Sequence, residues 1–537
     1  MRRLNLLALA VTAGIAAAGA SLGACSDGGA TGGTSSVSST GAATSSTSSD
    51  SSSSGAPSPE PVFTAKSFTE LSGSSSSDWV GLSLGLGGDV DGDGRVDLVV
   101  SSLSPAQGGY VGVFLGPITA HQPIQQADVL IQGEFQFNNA GQTILEAGGC
   151  DFDGDGKSDV LLGSPFADRY DIATSSQISG DNNGRGYVVF GGADIATRWG
   201  HAKQRRTNQA DVTFIGVDKY DTAGFTVACM GDLDGDGKDE IAVASPRASS
   251  ATTKRPGAVY LIYGRARAQL PAVLNLEDAD AIFRGESAYD AAGTAVARLG
   301  DVTGDGLSDF AVGAPGRSDG GNDAGAAYVI AGQNTRFQGE ISLASAAAVL
   351  TGEAPGQRLG YTITRAGDFD GDGTTDLLIG TSSVGKALSS PGRAYVVRGG
   401  ASLVGKSVVS SVGISFVGET PGDIAGLGIA TAGDLDGDKK TEILIGAPKG
   451  DGVEPGAGRA YLVRGRSFSA PATIELGKEV VVGKGGSAKD HLGEAVAGGA
   501  DLDGDGVPDL VISLRGRSAH VEAGGSVYVL SGKGVLQ

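Results

Sequence analysis

Carboxylates spaced two residues apart in a glycine-rich turn are the donor set of a hard divalent cation, and this chain repeats that arrangement seven times. "GDLDGDGKDE" sets Asp232, Asp234, Asp236 and Glu240 at positions 1, 3, 5 and 9, with Lys238 at position 7 offering a backbone carbonyl. The same five positions hold Asp89, Asp91, Asp93, Arg95 and Asp97 in the first copy, and Asp151, Asp153, Asp155, Lys157 and Asp159 in the second. The fourth copy has Asp301, Thr303, Asp305, Leu307 and Asp309; the fifth has Asp368, Asp370, Asp372, Thr374 and Asp376. Asp434, Asp436, Asp438, Lys440 and Glu442 make the sixth, and Asp501, Asp503, Asp505, Val507 and Asp509 the seventh. Oxygens at such positions converge on one ion, and glycine at position 6 permits the sharp turn. Ca2+ suits the set better than Mg2+, which demands tighter geometry and keeps its waters. Up to seven calcium ions are therefore expected. Binding should be weaker in unit four, where Thr303 replaces a carboxylate, and in unit six, where Lys439 stands at the glycine position.

A single Asp-Gly string would be an ordinary turn, but seven with one spacing exceed what turn chemistry explains. The strings are not EF-hand loops, because position 12 is Val100, Leu162, Val243, Val312, Ile379, Ile445 or Ile512. Those apolar residues start a strand, so the ninth-position acid has to complete the site. His121, His201, His491 and His520 are far apart in sequence and suggest no nucleophilic triad. Acid pairs of the glycosidase kind are too abundant to exclude, but nearly every conspicuous one has a metal-ligand reading already. The expectation is a chain that is not an enzyme and has no catalytic residues.

What positions the acids is a repeat. The first acids are 62 to 81 residues apart, the period of an array of supersecondary units. In the fifth period "GYTITRAGD", "DLLIGTS", "GRAYVVRGG" and "GISFVGE" are four strand-length runs without helical periodicity. They predict a four-stranded antiparallel blade, and radial repetition of blades closes into a propeller. A phase glycine supports this, lying eight residues before the first acid as Gly81, Gly224, Gly293, Gly360, Gly426 and Gly493. In unit two Gly141 lies ten residues ahead, and the extra residues around Gly148 and Gly149 read as a bulge. Glycine at 91 of 537 residues and aromatics at 6% agree with many short strands and tight turns. The net charge of −21 excludes nucleic acid and anionic membrane surfaces as partners. Positions 1, 3, 5 and 9 of the seven strings hold 27 of the 61 acidic residues, so bound cations would cancel much of that charge.

"FRGESAYDAAGTAVARLGDVTGDGLSDFAVGAP" and "FVGETPGDIAGLGIATAGDLDGDKKTEILIGAP" resemble the FG-GAP repeats of the integrin α-subunit propeller and its bacterial relatives. Phe214 with Gly216, Phe283 with Gly285 and Phe416 with Gly418 match the Phe-Gly half; "GAP" at 313 and 446 matches the other. The resemblance covers residues 62–537 and implies an all-β, seven-bladed propeller with its calcium loops between the first and second strands of each blade. It also implies a binding or adhesion head whose protein or glycan ligand sits on the face opposite those loops. Two other classes stay open: a lyase-like enzyme acting on polysaccharide, and a structural subunit of an envelope assembly.

The amino terminus reads separately. Residues 1–24 have a basic start at Arg2 and Arg3, an apolar run and small residues, the layout of a secretory signal rather than a spanning anchor. "LGAC" resembles the bacterial lipoprotein box, which implies lipidation of Cys25, and Ser26 after it resembles the outer-membrane pattern. Export and lipid anchoring in the envelope follow, with membrane contact only through that lipid and a monomeric head. Residues 25–61, rich in Ser, Thr and Gly, are a tether with a reach of roughly 30 to 35 Å. Cys150 and Cys229 lie near the ends of neighbouring inner strands, where offset registers weigh against a disulfide. Unit seven has only three strand runs, so "PVFTAKSFTELSG" is predicted to supply its fourth. The partner surface is placed over units two to four, around Tyr170, Tyr220, Arg247 and Tyr289; Phe137, Tyr220 and Tyr289 stand at matching places before the phase glycines in "EFQFNNAG", "VDKYDTAG" and "ESAYDAAG".

Overall fold

Apolar runs bounded by Gly and Asp turns are too short for stable helices and pair as antiparallel ladders. In the computed structural model they form seven small sheets arranged as a seven-bladed β-propeller. Described are residues 60–65, 67–104, 108–134, 138–144, 149–168, 170–171, 176–177, 181–203, 205–382, 390–516 and 524–535. The signal, the lipid site Cys25 and the tether up to residue 59 lie outside them. No described helix is long and apolar enough to cross a membrane.

Blade four shows the plan. Ala295–Gly300 pairs with Asp309–Ala314, that with Ala326–Ile330, and that with Ala348–Thr351, all antiparallel. The first strands of successive blades contact one another and form the inner ring. The second strand is buried along its whole length because a neighbouring blade covers each face. The core is therefore divided into seven apolar clusters, each shared by two adjacent blades. Backbones approach closely at these seams. A Cβ on Gly313 of blade four would stand 1.9 Å from the carbonyl oxygen of Gly360 in blade five, which is why the "GAP" glycine cannot carry a side chain.

Each blade also has an outermost strand that the sequence did not suggest, the fifth in six blades and the fourth among the described residues of blade two. It comes from the connection between the third and fourth strands of the next blade; Gly339–Ser342, for example, runs parallel to Ala281–Arg284 of blade three. These short straps cover edges that a four-stranded blade would leave open. The orphan amino-terminal segment does two jobs. Phe68–Ser72 pairs with Ser526–Leu530 as the fourth strand of blade seven, as predicted, and Val62–Phe63 straps blade six, there antiparallel.

The bulge read around Gly148 and Gly149 in unit two lies partly outside the described residues, while the six other inner strands each shift register immediately before their acidic loop, which the sequence reading did not expect. In blade two the described residues show one bridge, Ile144 to Leu162, rather than a ladder. One sequence expectation needs correcting. Cys150 and Cys229 are disulfide-bonded, with Cα atoms 5.7 Å apart. The shifted path of the inner strand brings the two into the range that offset registers had seemed to forbid.

Candidate functional site

All seven acidic strings connect the first and second strands of their blades and share one internal geometry. The first-position carboxylate accepts the backbone N–H of position 6 in every unit, from Gly94 to Asp89 at 2.9 Å through to Gly506 to Asp501 at 2.9 Å. The fifth-position carboxylate accepts the N–H of position 7, which is Arg95, Lys157, Lys238, Leu307, Thr374, Lys440 or Val507. In unit six Lys439 takes φ +70°, the left-handed conformation its glycine counterparts adopt, and still bonds to Asp434 at 3.0 Å.

The ninth-position acid has a larger part than its spacing suggested. Asp97, Asp159, Glu240, Asp309, Asp376, Glu442 and Asp509 are at most 1% exposed. One oxygen of each accepts the N–H of position 2; the other accepts that of a glycine just past the third strand, as Gly116 does for Asp97 at 2.9 Å. It clasps the loop onto the blade. Burial pushes the carboxyls of Asp97 and Asp376 up to about 7 and those of Asp159 and Glu240 up to about 8, and neighbouring loop carboxylates add to the shift.

These loops fit a hard cation. Oxygens of positions 1, 3 and 9 lie within 4.8 Å of one another in units one, two and five, and those of positions 1, 3 and 5 do so in unit three. Some of the same acids have arginine neighbours that the sequence reading missed. Arg267 lies 2.5 Å from Asp153 and 3.1 Å from Asp155, Arg336 pairs with Asp234 and Asp236, and Arg398 pairs with Asp370. The third- and fifth-position charges are thus partly balanced by the protein itself.

Antiparallel order puts the connections between second and third strands, and those between blades, on the opposite face. Tyr220 and Tyr289 lie there, each with a lysine over its ring: Lys219 at 5.1 Å and Lys254 at 5.8 Å. Tyr220 is 46% exposed, so it is not filler between blades. Arg247 is exposed in the following connection. Tyr170 falls in a two-residue strand, Tyr170–Asp171, paired with Ser176–Gln177. Phe137 lies outside the described residues. A cleft of about 560 Å³ opens on this face over blade six, between the connections leading into and out of it, lined by Thr420, Asp423, Lys449, Asp451 and His491.

Two periodic sets on this face escaped the sequence reading. Asp78, Asp221, Asp290, Asp423 and Asp490, each three residues before its phase glycine, are at most 4% exposed and cap the connection between blades. Asp490, for instance, accepts the N–H groups of Gly486 at 2.8 Å and Ser487 at 2.9 Å. Their constant offset was visible in the sequence. The second set joins the glutamate after the fourth-strand glycine (Phe-x-Gly, or Leu-Thr-Gly before Glu353) to a third-strand tyrosine: the hydroxyls of Tyr328, Tyr395 and Tyr461 donate to Glu286, Glu353 and Glu419 at 3.0, 3.2 and 2.6 Å.

Comparison with known proteins gives six matches to the FG-GAP repeat, at residues 146–189, 225–262, 292–330, 360–397, 425–463 and 492–530. They fall on blades two to seven; blade one has the same strand order without the match. The chain is 28% identical to integrin alpha pat-2 of Caenorhabditis briggsae over 49% of its length and 21% of that protein. It is 30% identical to integrin alpha-5 of Xenopus laevis over 41% of its length and 19% of the relative's. With human integrin alpha-E it shares 31% identity over 34% of its length and 15% of the relative's. The chain thus spans about a fifth of the length of these curated relatives.

Proposed function

Because this chain is an integrin α-like propeller of FG-GAP repeats, we propose that it is a calcium-stabilised binding or adhesion head, exported and carried on a lipidated tether. The observation that carries the calcium reading is the common geometry of seven acidic loops, whose carboxylates at positions 1, 3, 5 and 9 would hold the ions. A bound cation supplies positive charge that lets like-charged carboxylates stay together at neutral pH. The ligand surface is the opposite face, around Tyr170, Tyr220, Arg247 and Tyr289; Tyr220 and Arg247 are exposed there, and lysines lie over the rings of Tyr220 and Tyr289, groups of the kind enriched at recognition surfaces. The partner class is a protein or a glycan.

The test is capture of ligands from a glycan array and a panel of surface proteins by the full chain. Alanine at Tyr170, Tyr220, Arg247 and Tyr289 together should abolish capture and leave the calcium-dependent melt intact. Full capture by that variant, with capture lost instead in Lys449→Ala, would move the site to the cleft over blade six. Cys25→Ala should release the chain from the membrane fraction; its retention there would contradict lipid anchoring.

A further inference from the structure

The seam between blades two and three is built differently from the others. Cys150 immediately precedes Asp151, the first acid of loop two, and Cys229 lies three residues before Asp232, the first acid of loop three. Their disulfide therefore joins the roots of two adjacent acidic loops. Asp239, at position 8 of loop three, adds a second tie. Its N–H donates to the Asp151 carbonyl at 2.9 Å, and its carboxylate accepts the Asp151 N–H at 2.9 Å while lying 3.5 Å from Cys229 Sγ. The seams between loops one and two and between loops five and six have the main-chain tie, Ser158 to Asp89 and Thr441 to Asp368. Position 8 there is Ser or Thr, so no carboxylate returns the bond.

Residues 145–148, which lead into loop two, lie outside the described residues; from residue 149 onward the start of the loop is tied by the Gly149 N–H to the Leu86 carbonyl at 3.4 Å, by the disulfide and by Asp239. A cross-link at residue 150 restricts Asp151 and, through Asp239, the end of loop three.

We propose that this disulfide is a redox control on cation binding by loops two and three, an inference that rests on the calcium reading of the loops. In the oxidised form the first carboxylate of loop two is held in place before any ion arrives, so the ordering cost of binding is already met. A dithiol reductant passes two electrons and two protons to the pair, breaking the S–S bond and forming two thiols, and is itself oxidised to a disulfide. Asp151 then keeps its hydrogen bonds to Asp239 and within the loop but loses the covalent tie, so more of its ordering falls to the ion and affinity falls. Linkage requires the reciprocal effect: calcium held by loops two and three protects the bond from reduction.

The experiment uses the full chain with calcium as the probe. Ions are counted by native mass spectrometry at limiting free calcium for the oxidised protein, the dithiothreitol-reduced protein and the Cys150→Ser, Cys229→Ser double variant. The reduced and variant forms should hold two fewer ions than the oxidised form. In a second measurement, saturating calcium should slow the appearance of two new thiols under dithiothreitol at least tenfold, a readout that does not depend on the variant folding. Equal ion counts together with equal reduction rates would overturn the inference while leaving the loops as calcium sites. An oxidised chain that binds no calcium would overturn the loop reading and this inference with it.

Discussion

Closure of the ring by the amino-terminal segment makes a quantitative prediction. Leu71 is fully buried, sits opposite Val527 in the ladder of blade seven, and joins the cluster shared by blades seven and one. Leu71→Ala removes that packing and leaves a cavity at the seam, at a cost of about 3 kcal/mol. For the unit from Glu60 to Gln537, an unfolding entropy of about 2.1 cal/mol/K per residue sums to about 1 kcal/mol/K, so the melting temperature should fall by about 3 °C. Deleting residues 60–73 is more severe. It removes a five-pair ladder, the strap on blade six and the rings of Phe63 and Phe68 that pack against Tyr528 at 4.6 and 5.5 Å. Three large apolar side chains at about 2 kcal/mol each, with an unpaired edge besides, put the fall at about 6 to 10 °C. Scanning calorimetry of the two variants beside the parent reads both values. A deletion variant melting within 1 °C of the parent would refute closure by this segment, since the ring would then be held by something else.

Two further outcomes follow from the loops. Lys439→Gly relieves a left-handed non-glycine residue and should stabilise the protein by about 1 kcal/mol while strengthening calcium binding in unit six; destabilisation would show that the lysine side chain contributes more than its backbone costs. With calcium chelated, burial raises the folded-state values of the ninth-position acids, to about 7 for Asp97 and Asp376 and about 8 for Asp159 and Glu240, so the native state holds more protons than the unfolded chain at neutral pH. Their contribution is complete below about 4 and is lost as pH climbs through 7 to 8, so the chelated protein should melt higher at pH 5.5 than at pH 8. Carboxylates held low by cations, such as Glu419 beside Tyr461 and Arg459, titrate below that window and do not reverse the trend. A chelated melt that rises from pH 5.5 to 8 would contradict this account of the loops.

The fold and the acid positions were legible because both are periodic. Seven strings fixed the blade count, and the phase glycines all take positive φ where chains pass from one blade to the next. Closure was legible as a counting problem, three strands at one end and one at the other. The straps were not, because two to four residues such as Arg205–Arg206 or Val273–Asn275 carry no periodic signal and owe their extended form to the strand they lie against. The disulfide was misjudged because loop offsets were measured along an unbulged strand. Arg267, Arg336 and Arg398 were missed for a third reason: they reach their acids from connections of varying length, and sequence spacing does not encode such contacts.

The central claim is that the acidic loops bind calcium and that the propeller depends on it. Scanning calorimetry of the full chain at pH 7.5, with excess chelator and with millimolar free calcium, tests it most directly. At ten times its Kd each independent site adds about 1.4 kcal/mol, and several sites together add on the order of 5 to 10 kcal/mol. Calcium should therefore raise the transition by about 5 to 10 °C, and magnesium at the same concentration should raise it less. Coincident transitions in chelator and in calcium would contradict the account.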